Sequence, residues 1–119
     1  MIQNSVSCDH LWHEYIAVVI CAEWCGVCRE FRNIVKDHQG FHLTWMELDI
    51  LEEISSDLVV EIFPTVVVLH QSSVLFVGAI KPKNESLQSL IDASREYSPI
   101  LKYEELGKNL WSQLIKDFY

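Results

Sequence analysis

Apolar and polar positions change their period several times along this chain, and each change marks an element. Tyr15-Ile16-Ala17-Val18-Val19-Ile20-Cys21 is a continuous, β-branched apolar run. Such a run predicts a central strand covered on both faces, as in a sheet with helices on each side. The period then turns helical: Val27, Cys28, Phe31, Ile34 and Val35 fall at i, i+1, i+4, i+7 and i+8, while Arg29, Arg32, Lys36 and Asp37 fall elsewhere. Gly40 is a natural stop for that helix. His42 to Ile50 predicts a second strand with Leu43, Trp45 and Leu48 inward. Glu52 to Val60 predicts a short helix with Ile54, Leu58 and Val59 inward. Ahead of these, Ile2 to Val6 alternates weakly and suits a short edge strand, and Asp9 to Glu14 suits a single helical turn.

Phe63-Pro64 breaks the pattern, and Thr65-Val66-Val67-Val68-Leu69 follows as a strand. His70-Gln71-Ser72-Ser73 predicts a tight turn, from which Val74-Leu75-Phe76-Val77 pairs back as a hairpin, with Gly78 relieving crowding at its end. Asn84 is placed to cap a helix from Glu85 to about Glu96 that buries Leu87, Leu90 and Ile91. Ser98-Pro99 restarts the chain, serine as N-cap and proline in the first helical position. Tyr103, Leu106, Leu110, Trp111, Leu114, Ile115 and Phe118 then form one apolar stripe. Gly107 inside this last helix costs about 1 kcal/mol relative to alanine. Strands alternating with helices and closing on a hairpin predict an α/β fold with a central mixed sheet flanked by helices.

The chain has 119 residues, enough for one domain with a real core. Its net charge of −8 argues against nucleic acid or an anionic membrane as the main partner. The longest apolar run, Tyr15 to Ala22, is closed by Glu23 and is far short of a membrane span. Met1-Ile2-Gln3-Asn4-Ser5 lacks the basic start of a signal peptide, so a cytoplasmic location is expected. In that compartment the 4 cysteines are expected to be catalytic, metal-binding or buried and free, not a disulfide framework.

Trp24-Cys25-Gly26-Val27-Cys28 carries the candidate chemistry. Two thiols sit two residues apart where the apolar strand gives way to the helix. A helix start supplies unpaired N–H groups and partial positive charge, which favour thiolate over thiol. One helical turn brings both sulfurs within disulfide range. The same spacing serves zinc sites, with Cys8 or two histidines as further ligands, but there is no second CxxC and no HxxxH-type pair. Cys21, Cys25 and Cys28 also spell C-x3-C-x2-C, a spacing used by radical SAM enzymes for an iron–sulfur cluster, but those enzymes need a large barrel. No metal is expected. Cys21 and Cys8 read as free thiols, Cys21 buried. His10, His13, His38, His42 and His70 are scattered and read as surface or loop residues.

Ala22-Glu23-Trp24-Cys25-Gly26-Val27-Cys28 at a strand-to-helix junction resembles the active site of the thioredoxin family, and Phe63-Pro64-Thr65 opening a Val-rich strand resembles its cis-proline loop. Val77-Gly78-Ala79 fits as well. The resemblance covers about residues 1–96 and implies a thioredoxin fold there, with 97–119 an added C-terminal amphipathic helix packed on the same domain or used to form a homodimer. It implies a protein-disulfide oxidoreductase in which Cys25 attacks and Cys28 resolves the mixed disulfide. No cofactor is implied beyond the Cys25–Cys28 dithiol. Trp24, Gly26, Val27, Phe63, Pro64 and Thr65 would border the substrate, Pro64 being cis. The implied partners are disulfide-containing protein clients and a reductase or other thiol donor. The alternative is a thioredoxin-like binding or assembly protein whose dithiol is incidental. Three positions depart from the family pattern: Val19 stands where a buried acid is common, Trp45 where a lysine is, and Val27 where proline or histidine is usual. Lacking the acid, Cys28 is expected to resolve mixed disulfides more slowly.

Overall fold

The computed structural model describes residues 15–35, 41–55 and 58–118. The strand expected at Ile2–Val6, the turn expected at Asp9–Glu14, the Gly40 stop, Cys8, His10, His13 and His38 lie outside the described residues, as does the side chain of Phe118. The elements run β1 (Tyr15–Cys21), α1 (Gly26–Ile34), β2 (Phe41–Glu47), α2 (Leu48–Ile54), β3 (Thr65–His70), β4 (Ser73–Ala79), α3 (Asn84–Ser94), a 3-10 turn (Leu101–Tyr103) and α4 (Glu104–Phe118). The described strands form one mixed sheet in the order β2-β1-β3-β4. β2 lies parallel to β1, while the β1–β3 and β3–β4 pairs are antiparallel.

β1 is the centre of the molecule, and its alternation divides the core. Ile16, Val18 and Ile20 face Leu51 of α2 and Leu106, Leu110, Trp111 and Leu114 of α4. Ala17, Val19 and Cys21 face Cys28 and Phe31 of α1 and Leu87 and Ile91 of α3. Both faces of the strand are buried, which is why its seven residues read as unbroken apolar sequence. The apolar stripe of α4 is thus turned into the domain, and α4 serves as a covering layer of the sheet.

Several local expectations are corrected. The second strand ends at Glu47, and residues 48–50 belong to a helix. Glu47 is extended in the N-cap position, Asp49 supplies negative charge to the first turn, and Leu48, Leu51 and Ile54 recur at helical spacing against the core. Ser55 ends this helix, its N–H donating to the Leu51 carbonyl at 2.9 Å. The helix therefore does not reach Val60, and Val59, expected inward, is 77% exposed. In α1 the inward residues are Cys28 and Phe31, and Val35, extended just past the helix end, packs against the same cluster; Val27 and Ile34 are about half exposed.

Asn84 is not the cap of α3. Lys83 takes that position, and the Asn84 amide donates to the Ile34 carbonyl at 3.1 Å. It thereby satisfies a carbonyl in the last turn of α1, which has no partner inside its own helix. Ser98-Pro99 does not start a helix either. The Ile100 N–H donates to the Val74 carbonyl at 2.8 Å and pins the chain to β4 at that point; the 3-10 turn at Leu101–Tyr103 follows, and α4 begins only at Glu104. The hairpin turns at Gln71, whose φ of 56° is left-handed, and a bulge between Val68 and Leu69 shifts the β3–β4 register. Gly78 leaves room for the Phe76 ring, whose Cζ lies 2.9 Å from where a Cβ would sit.

Candidate thiol site

β1 ends at Cys21, and a short turn closed by the Cys25 N–H on the Ala22 carbonyl at 3.0 Å carries the chain into α1. The Arg29 guanidinium donates to the Glu23 carbonyl at 2.9 Å and braces the same turn from the helix side. Cys25 is the N-cap residue of α1, with extended backbone and a half-buried free thiol. Its position satisfies the helix-start geometry that the motif predicts. Gly26 opens the helix, and a Cβ there would meet only the Arg29 side chain, at 3.7 Å. Cys28, one turn on, points into the core and is 3% exposed.

Beside the thiol, Trp24 is 74% exposed and rests edge-on against Phe63, with ring centroids 5.4 Å apart. The Phe63–Pro64 peptide bond is cis. The Thr65 hydroxyl donates to the Ile62 carbonyl at 2.6 Å, and the Ile80 N–H donates to the Pro64 carbonyl at 3.2 Å. The loop before β3 is therefore tied at both ends next to Trp24. Val27 is exposed on the first turn of α1. The sequence-predicted group Trp24, Cys25, Gly26, Val27, Phe63, Pro64 and Thr65 is brought to one end of the sheet, the Trp24–Phe63 contact joining its two segments.

Cys21 is the residue whose part the sequence reading missed. It is not a free thiol: it forms a disulfide with Cys28, their Cα atoms 5.9 Å apart, and leaves Cys25 unbonded. That separation lies within the usual disulfide range. The signal lay in the strand's parity. Positions 17, 19 and 21 share the face that α1 covers, and Cys28 is the first inward residue of α1.

A cleft of about 320 Å³ opens on the β2 side of this disulfide, lined by Cys21, Cys28, Arg29, Arg32, Trp45 and Glu47 among others. Trp45 is packed edge-on to Phe31, with centroids 5.6 Å apart, and the Arg32 guanidinium lies 5.3 Å from its ring centroid. Val19 and Trp45 are register partners on β1 and β2. The two positions where the resemblance leads one to expect an acid and a lysine are thus a single apolar cross-strand pair.

A search of solved structures matches a mutant thioredoxin from Halobacterium salinarum NRC-1 with a TM-score of 0.59 and 19% sequence identity, covering 82% of this chain and 86% of that one. The fold is thioredoxin-like. No protein-family model matches the chain, and no curated protein matches it in sequence. The thioredoxin-like domain carries α4 on the face of its sheet opposite the thiols. Among the described residues no three or more His, Cys, Asp or Glu side chains gather as metal ligands, and no helix is long and apolar enough to cross a membrane.

Proposed function

We propose that the protein is a thiol–disulfide oxidoreductase acting on protein clients. The observation that supports this most directly is the half-buried free thiol of Cys25 at the start of α1, set beside exposed Trp24 and the Phe63–Pro64 loop, with Cys28 one turn behind it. The Cys25 thiolate attacks one sulfur of a client disulfide, forming a mixed disulfide and releasing the other client sulfur as a thiolate. Cys28, once reduced, attacks the Cys25 sulfur and releases the client. Trp24, Val27 and Phe63 offer apolar contact to the client chain, and Gly26 keeps the approach to Cys25 open.

The experiment is reduction of a disulfide-bonded protein by the full chain with dithiothreitol as electron source, beside a thiol-labelling titration in glutathione buffers. A couple between about −120 and −270 mV is expected, within the span of known thiol–disulfide catalysts. Cys25→Ser is expected to lower turnover by about two orders of magnitude or more, since it removes the attacking group. An absent couple, or turnover indifferent to Cys25→Ser, would remove this reading. Binding of clients without turnover would favour a binding or assembly protein.

Trp24→Ala tests the client surface separately. Because Trp24 is mostly exposed, folding stability is expected to change by no more than about 0.5 kcal/mol. Client KM is expected to rise roughly 5–30-fold, the effect of losing about 1–2 kcal/mol from an aromatic contact. An unchanged KM would place the client elsewhere.

A further inference from the structure

Two cysteines are candidate partners for Cys28, Cys25 in the motif with it and Cys21 at the end of β1, and it is bonded to Cys21. Cys25 is left as a free, half-buried thiol while a disulfide is present one turn below it. Cys21 and Cys28 are both buried, at 8% and 3% exposure, but both line the cleft on the β2 side. The client-facing pair, Trp24 and Phe63, lies by the loop that enters β3, on the other flank of β1.

We propose, on the oxidoreductase reading above, that Cys21 is a third catalytic thiol, which takes the disulfide over from Cys25 and returns Cys25 to the free state. After client release the oxidised protein holds a Cys25–Cys28 disulfide. The Cys21 thiolate attacks the Cys28 sulfur, the Cys25–Cys28 bond breaks, a Cys21–Cys28 bond forms, and Cys25 leaves as a thiolate. No electrons enter or leave in this step. Over the cycle to this point, one client disulfide has become two thiols, and Cys21 and Cys28 have supplied the two electrons and, with solvent, the two protons. Two equivalents of a small-molecule thiol entering the β2-side cleft then restore the dithiol and depart as one disulfide. The oxidised protein therefore still presents a nucleophile at Cys25, which a two-cysteine site does not.

The test begins with the full-length chain oxidised in glutathione buffer, alkylated, cut after Glu23 and sequenced by mass spectrometry. Cleavage there separates Cys21 from Cys25 and Cys28, and a second cut after Glu14 separates it from Cys8. The expected result is a Cys21–Cys28 link with alkylated Cys25; Cys21→Ser and Cys21→Ala should instead show Cys25–Cys28 with no alkylation at Cys25. If the takeover favours Cys21–Cys28 at least about tenfold, the glutathione titration midpoint of both variants lies about 30 mV or more above wild type. A Cys25–Cys28 link in oxidised wild type, or coincident midpoints, would overturn the proposal while leaving the oxidoreductase reading intact. Failure of wild type to reduce any client would remove the oxidoreductase reading and, with it, the catalytic role of Cys21, even where the link maps as expected.

Discussion

A chain ending at Tyr97 is expected to lose its cooperative fold. The segment removed carries Leu106 and Leu110, both fully buried, and Trp111 and Leu114, both nearly so. These residues cover the face of the sheet formed by Ile16, Val18, Ile20, Val67 and Leu69. Truncating a buried leucine to alanine costs about 2–5 kcal/mol and a buried tryptophan about 3–5, so together they carry on the order of 10 kcal/mol, comparable with the whole stability of an ordinary domain at about 5–15. The removed segment also donates two tertiary hydrogen bonds: the Ile100 N–H to the Val74 carbonyl at 2.8 Å, and the Asn109 amide to the Ile54 carbonyl at 3.0 Å, at the end of α2. Near-UV circular dichroism and thermal unfolding check the expectation, with loss of both the aromatic signal and the sigmoidal transition. A truncated chain that melts cooperatively, paired with a full-length chain that dimerises, would mean that the stripe works between molecules instead.

The same helix illustrates what was legible in the sequence. Its stripe of Leu106, Leu110, Trp111 and Leu114 announced a buried face because a 3.6-residue period is a property of the chain alone. What that face meets depends on how distant segments come together, so the covered side of the sheet could not be read beforehand. The candidate site divides likewise. Cys25, Cys28, Trp24 and the Phe63–Pro64 break were visible because a strand-to-helix change and a proline leave local marks. Cys21 was legible as one apolar position of the strand and as the first cysteine of a C-x3-C-x2-C spacing, but its pairing with Cys28 required combining the parity of β1 with the inward face of α1. Asn84 departs from its local signal for a related reason. Next to a helix start, asparagine is a good local cap, yet its amide serves a carbonyl 50 residues away. The β2–α2 boundary lies where the strand period breaks: Leu43 and Trp45 share one face of β2, and Leu48 is out of phase with them and packs on the opposite side of the sheet. Asp49 and Leu51 decide for the helix once Glu47 caps it.

Gly107→Ala is expected to destabilise the protein, against the rule for helix interiors. On propensity alone the change should stabilise by about 1 kcal/mol, because glycine loses more backbone freedom than alanine on entering a helix. In this fold Gly107 is where α4 lies against the β3–β4 hairpin. A Cβ there would fall inside contact distance of the Ser72 carbonyl oxygen and 3.1 Å from a Val74 methyl. The obstructing oxygen is backbone, held in a turn whose preceding residue, Gln71, already has a φ of 56°, so it has little room to yield. Helix α4 must lift instead, loosening the contacts of the adjacent, fully buried Leu106. Overpacking of this kind costs about 1–3 kcal/mol and occasionally more, and a clash with fixed backbone belongs at the upper end. The net loss is expected to be about 2 kcal/mol, read as a fall in Tm of roughly 8 °C for a domain of this size. Gly26→Ala is the matched control, since that glycine also lies in a helix and its Cβ would meet nothing closer than 3.7 Å. It should leave Tm unchanged or slightly raised. If both variants shift Tm upward, α4 does not sit against Ser72 as closely as described, and the helix would be free to accept an ordinary residue at position 107.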